Sequence, residues 1–291
     1  MGDSLWVLYG LGAALGLASA DALTKCYFTG LTPYGMSLVR LLFGLPYFAV
    51  GWWFTPMPQL TPIFFLIVVV ALPLEILAAL MYMRALQVSP LSLCAPMLAF
   101  TPALLILSGH LILGEMPNAW GGAGIAAVVL GSYLLNLDRW GRGWCAPLAA
   151  LWRQEGPRLM LGVAVIYAVT SALGKLGVMH SGPTFFALFY PCAFTGIMLA
   201  GYPWSSPRPG RRLFSQPFTG LLLGFCMAAT PFCHFHGIQL APAAYLIATK
   251  RLSLLFSVIY GGLVFREGFF LQRLMGAGLM AAGVGLIALK G

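Results

Sequence analysis

Leu86-Gln87-Val88-Ser89-Pro90 returns as Ile238-Gln239-Leu240-Ala241-Pro242, 152 residues further along the chain. Glu115, Gly124 and Gly131 return at the same distance as Glu267, Gly276 and Gly283. Nearer each start, Ala22, Leu23, Lys25 and Pro33 recur as Ala172, Leu173, Lys175 and Pro183, shifted by 150. The chain is a duplicated half. Each half has room for about five spans of about 20 apolar residues, so an odd number of crossings separates equivalent positions. The second half is therefore inverted relative to the first. Inverted repeats in one membrane chain characterise many alternating-access transporters, whose substrates bind near the midplane between the halves.

Composition sets the solvent. The 291 residues are 60% apolar and only 8% charged, with a mean hydropathy of +0.90, far outside the range of soluble domains. Lipid offers the backbone no hydrogen-bond partners, so spans must be helices or a closed barrel. The unbroken apolar run 63–72 lacks the alternation of barrel strands, which predicts an all-α membrane protein. Turn residues and charges divide it into ten spans at about 5–24, 34–54, 63–85, 91–113, 118–137, 158–178, 184–202, 217–240, 242–264 and 270–289. A first repeat over 1–137, a connecting loop over 138–157 and a second repeat over 158–291 follow. Leu5 to Ala20 ends in a signal-peptide-like Ala18-Ser19-Ala20, but Asp3 occupies the basic n-region, and the Lys25 region is duplicated. This segment is read as the first span.

The net charge of +9 is not gathered with aromatics on a soluble segment, so it argues against nucleic acid. It sits in loops. Those after odd-numbered spans hold Lys25, Arg84, Arg139, Arg142, Arg153, Arg158, Arg208, Arg211, Arg212, Arg266 and Arg273, against Lys175 and Lys290 on the other side. The positive-inside rule then puts both termini outside. Cys26, Cys94, Cys145, Cys192, Cys226 and Cys233 show no metal-ligand spacing and read as apolar filler. Gly121, Gly122, Gly124, Gly276, Gly278 and Gly283 form small-residue faces for close helix approach.

Ionisable residues inside spans are costly and are functional candidates by default. Arg40 lies two turns into the second span, Glu75 mid-span in the third, and Lys250 and Arg251 two turns into the ninth. Adjacent helical residues point about 100° apart. Lys250 shares its stripe with Ser253, Ser257 and Gly261, which suits a wet cavity; Arg251 is flanked by Ile247, Leu254, Leu255 and Val258. Lys250 is thus expected to face substrate, with Arg40, Tyr82, Tyr245, Ser253 and Ser257 as further substrate-binding candidates. Arg251 is expected to need a carboxylate, foremost Glu75. Glu75 is read as the counter-ion of Arg251 or Arg40, or alternatively as a proton carrier. Asp21 serves the same pairing purpose or lies in the interface. His234 is a charge-coupling candidate or a packing residue, and Tyr190 a possible cavity liner. His234 and His236 point to opposite helix sides, so no metal is expected. Glu115 and Glu267 sit near helix N-termini and are duplicated, which argues for structure.

In both halves Pro opens a span and Glu closes it before a Gly-rich span: Pro90, Glu115, Gly124 and Gly131, then Pro242, Glu267, Gly276 and Gly283. This pattern resembles the EamA domain of ten-span bacterial members of the drug/metabolite transporter superfamily. The segment Ala248 to Ser257 also resembles a Lys-Arg-x-Ser segment of a subset of these proteins. The resemblance implies a multi-pass protein of the bacterial cytoplasmic (inner) membrane, monomer or homodimer, exporting or exchanging small metabolites without ATP or cofactor. It also implies cytoplasmic termini, opposite to the arginine count. The excess of intramembrane cations favours a small anionic or zwitterionic solute, moved by alternating access with proton coupling or by exchange. The alternatives are a flippase for a phosphorylated or anionic lipid, which the same cations fit, and an exporter of small cationic, drug-like solutes. No H-E-x-x-H and no paired span carboxylates point to an enzyme.

Overall fold

The computed structural model describes residues 5–89, 97–135, 153–204, 210–265 and 270–291. Pro90, Pro96, Glu267 and most of the connecting loop 138–157 lie outside them. The described residues are helical with short turns and trace ten crossings. In the first half these are α1 (Leu5–Tyr27), the broken span α2 (Pro33–Leu42) and α3 (Leu45–Trp53), α4 (Pro62–Val88), α5 (Thr101–Leu113) and α6 (Ala119–Leu135). In the second they are α7 (Glu155–Ser181), α8 (Pro183–Gly201), α9 (Pro217–Leu240), the broken span α10 (Ala243–Lys250) and α11 (Ser253–Phe265), and α12 (Phe270–Lys290). Six of these spans are by themselves long and apolar enough to cross a membrane.

Where helices break is a matter of backbone bonding. The predicted single span 34–54 divides at Phe43-Gly44, because Pro46 has no N–H to return to the preceding turn. Pro73, Pro191 and Pro231 by contrast stay inside continuous helices. The ninth span carries no proline after Pro242 at its start, yet tightens at Arg251-Leu252, where the Arg251 N–H is shared between Ile247 and Ala248 carbonyls, both at 3.1 Å. Ala99-Phe100 forms the same turn in the first half, at the equivalent position 152 earlier. The kink thus belongs to the repeat.

The halves interlock. α1 packs on α9 and, as its repeat mate, α7 packs on α4; α6 pairs with α12. That last pair depends on glycine: a Cβ on Gly131 would lie 2.7 Å from the Gly276 carbonyl, and one on Gly124 2.7 Å from that of Gly283. The close small-residue approach of Gly124 with Gly283 is the one expected of those faces. Two apolar clusters form, one toward the end where α1 begins (Trp6, Phe64, Phe185, Phe186, Tyr245) and one toward the end where it finishes (Phe28, Leu31, Met36, Met83, Met160). Between them lies a cavity.

At the end where α1 begins, Gly114 takes a left-handed φ of 71° and closes α5. This turn presents Glu115 to the second half, where Oε2 accepts the Ala243 N–H at 2.9 Å and Oε1 pairs with Lys175 Nζ. Lys175 also donates to the Ala241 carbonyl at 2.7 Å. Glu115 therefore stabilises the N-terminus of α10, and acts as a strut between repeats.

Candidate functional site

Breaking two spans at membrane depth leaves helix ends facing the interior. Arg40 stands in the last turn of α2 and Lys250 in the last turn of α10, where the helix dipole favours cations. Both line a cavity of about 230 Å³ with Glu75, Tyr82, Tyr190, His234 and Arg251. The cavity wall from α7, Tyr167, Thr170 and Ser171, escaped the sequence reading. The repeat offered a signal for it, since these positions are equivalent to Leu17, Ala20 and Asp21. Phe186 completes an aromatic flank, stacked on Tyr190 at 5.2 Å and edge-on to Phe235 at 4.8 Å.

Arg40 is not a free cation. Its Nη1 donates to Asp21 Oδ1 at 2.7 Å, and Tyr82 Oη donates to the other Asp21 oxygen at 2.9 Å. Asp21 thus takes the pairing role that the sequence left open.

The expected Arg251–Glu75 pair is not formed. Glu75 shares the cavity wall with Thr170 of α7, and the cation acting on it is Lys250. Among the described residues the ion pairs are Arg40–Asp21, Arg84–Glu155 and Lys175–Glu115; Glu75, Lys250 and Arg251 line one cavity without a direct pair. Arg251 is 4% exposed and its Nε has no hydrogen-bond partner.

Three predicted binding residues lie elsewhere. Ser253 and Ser257 are not among the lining residues, because the stripe drawn from Lys250 assumed an unbroken 3.6-residue period through the turn at Arg251-Leu252. Tyr245 belongs to the cluster near the α1 start, where its hydroxyl accepts the Asn118 N–H at 3.2 Å. His234 faces the cavity, whereas His236 points away to Thr184 at 3.0 Å.

Arg40, Lys250, Arg251 and one carboxylate, Glu75, line the cavity beside aromatic rings, with Asp21 paired to Arg40. Known proteins agree with a transport role. The EamA-like transporter family matches residues 4–137 and again 155–289. An uncharacterised transporter in the cobO 3′ region of Sinorhizobium sp. is 28% identical over 131 residues, covering 43% of this chain and 90% of that protein. A protein of known crystal structure shares the fold at a TM-score of 0.73 and 16% identity, over 98% of this chain and 97% of its own. With both of its halves matched, the chain is a multi-pass membrane transporter and belongs to the EamA-like transporter family.

Proposed function

We propose that this protein is a secondary transporter for a small anionic or zwitterionic metabolite, working by alternating access in the cytoplasmic membrane of a bacterium. The observation that carries the reading is Arg251, buried in the cavity wall beside Lys250, with an unpartnered Nε and no ion pair. An uncompensated cation at membrane depth is costly, and a negative solute offsets that cost only while bound. The two interlocked repeats supply the rocking elements, with the charged site between them. A proton or a second solute drives the cycle, and Glu75, free of both Arg40 and Arg251, is the group for proton coupling.

Thermal unfolding of the purified protein against anionic, zwitterionic and cationic metabolites and anionic lipids tests this. A ligand at about 100 times its dissociation constant adds about 2.7 kcal/mol to the folded state. Stabilisation by a soluble anion, lost in Lys250→Ala and Arg251→Ala, is the expected result. Stabilisation by lipid alone points to a flippase, and stabilisation by cations alone to a cation exporter; either outcome sinks the reading.

A further inference from the structure

Three buried polar side-chain atoms have no hydrogen-bond partner among the described residues: Tyr190 Oη, His234 Nδ1 and Arg251 Nε. Their residues are 9%, 8% and 4% exposed, and all three line the cavity. Buried polar groups are ordinarily satisfied, so three orphans around one space call for a physical reason.

The repeat supplies it for two of them. By the shift of 150, Tyr190 is the equivalent of Arg40 and Ser171 that of Asp21; by the shift of 152, His234 is the equivalent of Tyr82. In the first half, Arg40 and Tyr82 are held together by one carboxylate, each donating to a different oxygen of Asp21. The second half brings the equivalent pair to the same cavity, but Ser171 stands where the carboxylate would be. We propose that the carboxylate of the transported solute takes that place, bound by Tyr190 and His234 as Asp21 is bound by Arg40 and Tyr82. This inference rests on the anion reading and names its chemistry.

The site is suited to a carboxylate in particular. Two polar groups meet two acceptor oxygens, as in the first half, where a phosphate would bring a third oxygen and a larger charge. The charges of Lys250 and Arg251 both act on His234, so a carboxylate there sits in their field. Their equivalents in the first half are Leu98 and Ala99; the half with its own carboxylate lacks these cations.

The test uses the full chain, purified in detergent, with acetate, succinate, glutamate and benzoate, each with its amide, and inorganic phosphate as probes. Unfolding temperature and titration calorimetry are read for the parent, Ser171→Asp, Ser171→Asn, Tyr190→Phe and Lys250→Ala. At least one carboxylate, and not its amide, is expected to bind the parent. Its affinity is expected to fall roughly tenfold or more in Tyr190→Phe, which loses a charge-assisted hydrogen bond. It is expected to fall at least as far in Ser171→Asp, whose internal carboxylate competes, and by less in Ser171→Asn, whose neutral amide fills the same space without the charge. Should Ser171→Asp fail to fold, Tyr190→Phe and the amide comparison decide the matter. Carboxylate binding that is unchanged in Tyr190→Phe and Ser171→Asp but lost in Lys250→Ala overturns this subsite and leaves the cationic cavity standing. Preference for phosphate over every carboxylate overturns the carboxylate assignment alone. Binding of no anion by the parent overturns both.

Discussion

Arg40 and Asp21 form an ion pair of 2.7 Å inside the helix bundle, with side chains 7% and 21% exposed. Removing one partner of a buried pair strands the other charge, which costs about 3–5 kcal/mol. Solvent reaches Asp21 in part, so Arg40→Ala is expected near the low end, about 3 kcal/mol, as a lowered unfolding temperature. The double variant Asp21→Asn, Arg40→Gln is expected to recover much of that loss. A parent-like unfolding temperature in Arg40→Ala would contradict a structural role and return Arg40 to the ligand set.

Glu75 is expected to set the sign of pH dependence. It lines one cavity with Thr170, Tyr167, Tyr190 and Lys250. When Glu75 takes up a proton, the cavity gains one positive charge and Lys250 is released from its attraction. Anion affinity is therefore expected to rise as pH falls, with proton uptake on binding. Glu75→Gln fixes the neutral form, so its affinity is expected to match the low-pH parent and to lose this dependence. Calorimetry in buffers of differing ionisation enthalpy measures the protons taken up; equal uptake in parent and variant refutes the assignment.

Glu115 and Lys175 join the repeats at the end where α1 begins. Glu115→Gln keeps the acceptor for the Ala243 N–H but removes the charge, and is expected to destabilise by about 1–3 kcal/mol. Glu115→Ala removes both and is expected to cost more. If the strut also holds that end closed, both variants increase thiol labelling of His180→Cys beside it, which separates a gating effect from simple loss of stability.

The arginine count and the family resemblance predict opposite orientations, and labelling decides between them. With positive-inside topology, the end carrying Arg84 and Arg153 is cytoplasmic. In a Cys26→Ser background, an impermeant thiol reagent is expected to label Met116→Cys in intact cells and Arg153→Cys only after permeabilisation. Both positions are exposed and lie at opposite ends of the bundle. The reverse pattern would show that these arginines serve something other than topology.

The cavity charges were legible in the chain, because an ionisable residue in an apolar run stands out whatever its partners. Arg40, Glu75, Tyr82, His234, Lys250 and Arg251 all line the cavity. Their partners were not legible. Pairing Arg251 with Glu75 assumed that opposite charges on neighbouring spans meet, whereas Asp21 reaches Arg40 and Glu75 faces α7. Ser253 and Ser257 were lost for a local reason, a turn at Arg251-Leu252 that no proline announces.

By itself the sequence determined the solvent, the helices, the duplication and the inversion, since each follows from composition, run length and counting of crossings. The tertiary structure alone decided which charges are neutralised. Contacts between α1 and α9, or α4 and α7, join residues more than 65 positions apart. Their geometry depends on where each helix bends, which backbone hydrogen bonding fixes and hydrophobic pattern does not.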